Sequence, residues 1–186
     1  GGKPMEILDI LDEQGNITGK TEERAIVHEK GLWHTHVGIW LMNQKGELLF
    51  QKRAETKKVN PNKWTRTGGH VDSGETPLHA IQRETEEEIG VKIPLDEIEL
   101  IDIKKEEINI PNTEIINRHF VYNYFAKVDY KLKDYTIDPE EVSDIKYITI
   151  EEIKKAIENK DEKYTFTRNK NINEIIKFLE NKRKDI

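Results

Sequence analysis

Residues Gly69 to Val91 read GHVDSGETPLHAIQRETEEEIGV, and this stretch predicts a helix over 77–89. Thr76 can cap it, Pro77 suits the first helical position, and Gly90 can close it in the left-handed conformation. Leu78, Ile81, Thr85 and Ile89 fall on one side at helical spacing, the side that packs on a sheet. Glu84, Glu87 and Glu88 stand at i, i+3 and i+4 on a different face. Carboxylates so placed repel one another by roughly a few tenths of a kcal/mol per pair. Two of them also lie in the last turn, where the macrodipole disfavours negative charge. A helix shaped for stability alone would carry Lys or Arg there. The natural compensation is a hard cation such as Mg²⁺, which takes one or two carboxylates and keeps waters and phosphate oxygens as its other ligands. The competing reading is a solvated acidic face in a chain rich in Glu.

Working outward, residues 6–11 read as a strand entering the turn Asp12 to Asn16, and 21–27 as one or two helical turns stopped near Gly31. Residues 37–42 and 47–51, joined by Asn43-Gln44-Lys45-Gly46, predict a hairpin. A polar loop containing Pro61 leads to Trp64 and the pair Gly68-Gly69. Further strands are expected over 98–104, 118–128 and 144–150, and helices over 151–158 and 171–183, the last with Ile172, Ile175, Ile176 and Leu179 on one stripe. This order predicts a mixed α/β fold, with helices flanking a mixed sheet rather than a doubly wound parallel one. No repeat or Ser/Gly-rich linker divides the chain, so 1–186 reads as one domain. Gly1-Gly2-Lys3-Pro4 has the look of an expression scar and is set aside.

Composition narrows the function. The 186 residues hold 30 Lys+Arg against 36 Asp+Glu, a net charge of −6, which argues against a general nucleic-acid binder because phosphate contacts need a basic stripe. No apolar run approaches the roughly 18 residues of a spanning helix, and no signal-peptide core opens the chain. Zero cysteine removes disulfides, thiolate zinc sites, iron–sulfur clusters and thiol catalysis together. The expectation is a soluble cytoplasmic protein with no membrane partner.

Gly69, Glu75, Arg83-Glu84, Glu87-Glu88 and Gly90 form one continuous pattern, and seven such fixed positions would coincide by chance on the order of once in a hundred thousand chains. The pattern resembles the Nudix hydrolase box, G-x5-E-x7-R-E-U-x-E-E-x-G-U with U aliphatic, over about an eighth of the chain. Thr85 departs from it at the first aliphatic site. The resemblance implies an α/β/α sandwich that hydrolyses a nucleoside diphosphate linked to another group, with Mg²⁺ or Mn²⁺ as cofactor and a small-molecule diphosphate as substrate. It assigns the metal to Glu84, Glu87 and Glu88, the orientation of those glutamates to Arg83, and loop and helix-end roles to Glu75, Gly69 and Gly90. Physical reasoning agrees, because a diphosphate's negative charge repels a nucleophile until cations neutralise it and activate water.

Outside the box, Gly31-Leu32-Trp33-His34, Gly46 to Arg53, Lys63-Trp64 and Gly69-His70-Val71 resemble the branch nearest type 1 isopentenyl-diphosphate isomerase. That enzyme's mechanism needs a cysteine just before the Gly-His that precedes the box helix; here Gly68 stands there. His28, His34 and His70 fall near the isomerase's three metal-site histidines, whereas its two glutamate ligands correspond to Arg118 and Phe120. Three neutral imidazoles can still hold Zn²⁺; the alternative is that they are partly buried polar residues. His36, His79 and His119 read as structural. Trp64, Phe120, Tyr122 and Tyr124 could stack a base or simply fill the core. An isomerase-like protein and a non-catalytic ligand-binding module remain the competing functions, and the complete box favours the hydrolase.

Two further expectations concern residues outside the box. Arg53, Lys52 and Arg118 lie on or beside strands near it and are expected, with Gly69, to bind substrate, Arg53 facing the diphosphate; a surface salt bridge is the alternative. A fourth carboxylate is expected to take the proton from the attacking water. In the family this residue precedes the last strand. Asp138-Pro139-Glu140-Glu141 is the matching stretch, and Glu141 is chosen over Glu140.

Overall fold

The computed structural model describes residues 5–186; Gly1 to Pro4, the suspected scar, lie outside the described residues. In chain order the elements are β1 (Ile7–Leu11), β2 (Ile17–Glu23), α1 (Arg24–Lys30), β3 (Trp33–Met42), β4 (Leu48–Arg53), β5 (Trp64–Thr65), β6 (Thr67–His70) and α2 (Pro77–Ile89). There follow β7 (Glu99–Asn109), β8 (Ile116–Lys127), β9 (Val142–Ile148), α3 (Ile150–Glu158) and α4 (Ile172–Arg183). Seven strands form one mixed sheet in the order β5-β4-β3-β8-β7, with β6 added on β3 and β9 on β4. β3 and β8 run parallel, and the other pairs are antiparallel.

Side-chain alternation along β3 sorts the core into two layers. Val37, Ile39 and Leu41 pack under α2 with Ile81 and Ile89; we call this the box face. Trp40 and Met42 point the other way, onto α3 and α4 with Phe50, Phe125, Ile153 and Ile176; this is the far face. The result is the expected α/β/α sandwich. The helix over 77–89 forms as its caps dictate: the Thr76 hydroxyl accepts from the His79 N–H, and Gly90 turns at φ 73°. Thr85 fits the packing stripe although it is not aliphatic. It is buried, and its hydroxyl donates to the Ile81 carbonyl at 2.6 Å, which satisfies the polar atom within the helix.

Three expectations are corrected. Thr21 to Glu23 belong to β2, paired with Ile7 to Asp9, so the first helix starts at Arg24 and ends at Gly31, φ 63°. Long-range pairing overrides a weak local helix preference there. Strands 37–42 and 47–51 meet at a single pair, Met42 with Leu48, and then diverge. β6 occupies the edge of β3, and β4 turns to β9 instead. Ile150 does not share a strand face with Lys146 and Ile148; Thr149 and Glu152 form a capping box, and Ile150 opens α3.

β1 and β2 form a separate hairpin gripping the loop before α2. The Ser73 N–H donates to the Ile7 carbonyl at 2.8 Å, the Ser73 hydroxyl donates to Asp9 at 2.8 Å, and the Gly74 N–H donates to Asp9 at 3.1 Å.

Candidate active site

Arg83 organises the acidic end of α2. Its Nε and Nη2 grip both oxygens of Glu75 at 2.8 and 3.0 Å, a bidentate pair that a lysine could not reproduce. Nη1 donates to Glu84 at 2.8 Å and to Glu87 at 3.2 Å, and Nη2 to the His70 carbonyl at 3.1 Å. Burial pushes the Glu75 carboxyl up, but the bonds from Arg83 and the Asp72 N–H outweigh it and hold it below its ordinary range. The same pairing raises the Arg83 proton affinity.

Glu84 and Glu88 are buried, whereas Glu87 is exposed. Burial raises both buried carboxyls. They also hydrogen-bond each other, and the Glu84 charge adds to the rise at Glu88, which sits well above the ordinary range. Two carboxyls forced together in a poorly solvated place suit a divalent cation held by oxygen ligands, so Glu84, Glu88 and Glu87 are the residues that would hold it. Gly69 of β6 packs directly on Glu84, leaving room for the carboxyl only because it has no side chain.

Residues not singled out in the sequence complete the cradle. Gln51 of β4 donates to Glu88, and the Thr67 hydroxyl of β6 donates to Gln51 at 2.7 Å, so two strands steer one carboxylate. Alternation along 47–51 carries the signal for Gln51, which shares its face with Arg53. Arg53 is largely enclosed. Its Nε donates to the Val59 carbonyl at 2.8 Å; burial weakens its hold on its proton, and the charges of Glu88 and Glu141 partly restore it.

The loop before β9 is tied to the end of α2, the Asp138 N–H donating to the Glu88 carbonyl at 3.0 Å and the Thr136 N–H to the Ile89 carbonyl at 3.1 Å. That tie brings Glu141 within electrostatic reach of Glu88, while its Oε2 pairs with Lys57 at 2.7 Å. Glu140 and Glu141 line one wall of a cavity of about 420 Å³ whose other walls include Glu6, Glu23 and Arg24.

Two expected substrate residues are not brought to this cradle. Lys52 alternates with Gln51 and Arg53 and therefore lies on the far face, opposite Asp144. Arg118 donates to the Gly31 carbonyl at 2.9 Å and pairs with Glu107 at 3.0 Å, bracing the start of β3. Phe120 packs against Trp33 at a tilt, ring centroids 5.5 Å apart.

The histidines do meet. His28, His34 and His70 offer nitrogens all within 4.8 Å of one another. Burial lowers all three, His28 to about 4 and His34 to about 3, so they stand neutral and able to ligate a cation. His36 and His119 extend the cluster, with rings 5.3 Å apart. His79 lies elsewhere, its ring 2.7 Å from the Thr76 hydroxyl at the start of α2.

This fold and this acidic cradle define an enzyme of the Nudix class. A model of the NUDIX domain matches residues 32–169, and the chain belongs to that family. It is 35% identical over 159 residues to an uncharacterized Nudix hydrolase of Clostridium acetobutylicum, covering 83% of this chain and 75% of that one. It is 34% identical over 163 residues to Nudix hydrolase 3 of Arabidopsis thaliana, covering 86% of this chain but only 21% of that protein. An isopentenyl-diphosphate Delta-isomerase of Photorhabdus laumondii is 31% identical over 169 residues, covering 90% and 91%. A crystal structure from Deinococcus radiodurans superposes with TM-score 0.62 at 24% identity, covering 83% of this chain and 90% of that one. The chain is therefore a Nudix hydrolase, an enzyme family whose chemistry is pyrophosphate-bond hydrolysis, generally with a divalent metal. Among the described residues no helix is long and apolar enough to cross a membrane.

Proposed function

We propose that the protein is a cytoplasmic, Mg²⁺- or Mn²⁺-dependent hydrolase of small nucleoside diphosphates linked to another group, and that residues 1–186 work as one unit. The observation that carries the reading is the buried Glu84/Glu88 pair, braced by Arg83 and steered by Gln51. When bound, the cation supplies charge neutralisation at the diphosphate and acidifies the attacking water. Arg83 fixes where Glu84 and Glu87 point, Arg53 binds a phosphoryl oxygen, and Glu141 takes the proton from the water. The proximity of Arg53 and Glu141 to Glu88 supports those two roles. Lys52 and Arg118 have no support as substrate ligands.

The isomerase likeness is the second reading, favoured by the histidine cluster. Against it stands Gly68, where that chemistry needs a thiol, in a chain without cysteine. A panel of diphosphate compounds, with and without chelator, tests the proposal. The expected result is metal-dependent phosphate release absent from Glu88→Gln. Ligand binding with no release above that control would instead mark a binding module.

A further inference from the structure

Lys57 and Glu141 stand 84 residues apart in the chain, on two loops that the pairing of β4 with β9 lays side by side. Lys57 Nζ donates to Glu141 Oε2 at 2.7 Å, and the two side chains are only 15% and 20% exposed. Lys104, Lys154, Lys163 and Lys182 also pair with carboxylates, but each of those pairs has one side chain at least 49% exposed. Exposed pairs contribute little and are screened by salt, whereas enclosed ones are screened much less. Lys57–Glu141 is the most enclosed lysine pair among the described residues, and so the one best able to hold its partner still.

The pair is not needed to join the two loops. Arg53 pairs with Val142 in the sheet, the Ala54 N–H donates to the Glu141 carbonyl at 3.0 Å, and the Lys57 N–H donates to the Ala54 carbonyl at 3.1 Å. On the other side the Glu141 N–H donates to the Asp138 carbonyl at 3.0 Å, and the Asp138 N–H is the one tied to Glu88. Main-chain bonds therefore fix where the Glu141 side chain starts. They do not fix where its carboxylate ends, because each side-chain torsion still has several staggered wells. Lys57 selects among them.

The direction of approach matters as much as the distance. Glu141 lines the cavity it shares with Glu6, Glu23, Arg24 and Glu140, and Lys57 is not among those walls. The lysine meets the carboxylate from behind, on the side of its own loop. Electrostatics calls for such a partner, because Glu88 and the other carboxylates of the cavity repel Glu141. Arg24, the cation in that lining, already pairs with Glu6 at 3.6 Å. Lys58 carries the same charge one residue further on, but it is exposed.

We propose that Lys57 is a positioning residue for the hydrolysis, holding the Glu141 carboxylate at the angle from which it takes the proton of the attacking water. Lys57 keeps its own proton and touches neither the water nor the diphosphate. The inference rests on the reading of Glu141 as the base.

A double-mutant cycle on the full chain tests it, run with Mg²⁺ and the best substrate of the panel. Lys57→Met should lower kcat about tenfold, the order lost when a group that orients another is removed, and leave KM within about twofold. Lys57→Arg should recover most of the lost kcat. In a Glu141→Gln background Lys57→Met should cost nothing more, because a lysine that acts through the carboxylate has nothing left to orient. Lys58→Met, which removes the same charge from the same loop, should match wild type. Lys57→Gln and the melting temperature of every variant are measured alongside, so that a folding defect in one protein does not decide the result.

A loss of kcat that persists in full in the Glu141→Gln background overturns the assignment. So does a raised KM with unchanged kcat, which would make Lys57 a substrate ligand. A silent Lys57→Met beside a crippled Glu141→Gln removes the lysine's role and leaves the base. A Glu141→Gln protein with wild-type kcat removes the base, and the lysine's role with it.

Discussion

Gly69 and Glu84 are so close that a β-carbon on the glycine would stand 2.5 Å from the carboxyl carbon of the glutamate. Gly69→Ala therefore displaces the Glu84 carboxylate rather than unfolding the strand. Misplacing a reacting group by about 1 Å can cost about 10²-fold, and kcat/KM for Gly69→Ala should fall by that order while the melting temperature changes little. A variant as active as wild type would show that Glu84 does not need its present place.

Glu88 is stabilised in its protonated form by burial and by Glu84. The folded chain therefore binds more protons here than the unfolded chain, and without metal this site loses stability as pH rises from the ordinary carboxylate range toward the folded value. Glu88→Gln should melt higher than wild type in chelator and gain nothing from Mg²⁺, whereas wild type gains by mass action. Calorimetry at several pH values, with and without Mg²⁺, checks both signs. A variant that melts lower in chelator refutes the account.

The buried histidines act in the opposite sense. Their folded values are depressed, His28 from 6.5 to about 4 and His34 to about 3, with His36 and His70 also well below 6.5. Their contribution is fully present above pH 6.5 and is lost as pH falls toward those values. Each such group adds about 1.4 kcal/mol per pH unit to the slope between its two values. Urea titrations in a Glu88→Gln background, which removes the opposing term, should show a steep acid loss that His34→Gln makes shallower. An unchanged slope would place the titration elsewhere.

Glu141 stands within reach of Glu88 and Arg53, while Glu140 is exposed on the same loop. Glu141→Gln should lower kcat by roughly 10²-fold or more, the range typical of losing a general base. Glu140→Gln should stay near wild type. The reverse pattern would identify the neighbour as the base.

Arg53→Ala should raise KM for the best substrate more than it lowers stability. An unchanged KM would restrict Arg53 to its bond with the Val59 carbonyl.

What could be read in advance follows the range of the interactions. The box helix, its caps and the α4 stripe depend on neighbours within a few residues, and they form over the expected positions. The far end of the supposed hairpin depends on β6 and β9, segments distant in the chain that compete for the same edges, so local turn chemistry misjudges it. Gln51 and Thr67 matter only through strand register, which sets which face each side chain occupies. The alternation that separates Lys52 from Arg53 is present in the sequence and argues against grouping them. Arg118 looks like a substrate cation until Glu107 and the Gly31 carbonyl, brought near by the fold, claim it.

The hairpin over 7–23 lies wholly before residue 32, where the family match begins, yet its Ile7 and Asp9 hold the loop that delivers Glu75 to Arg83. A chain trimmed to residues 32–169 would keep every box residue and the box-face core layer, though not α4, which supplies Ile172, Ile175, Ile176 and Leu179 to the far layer. It would also lose the outer hand on that loop, so the span shared across the whole family is smaller than the span that holds the box loop in place.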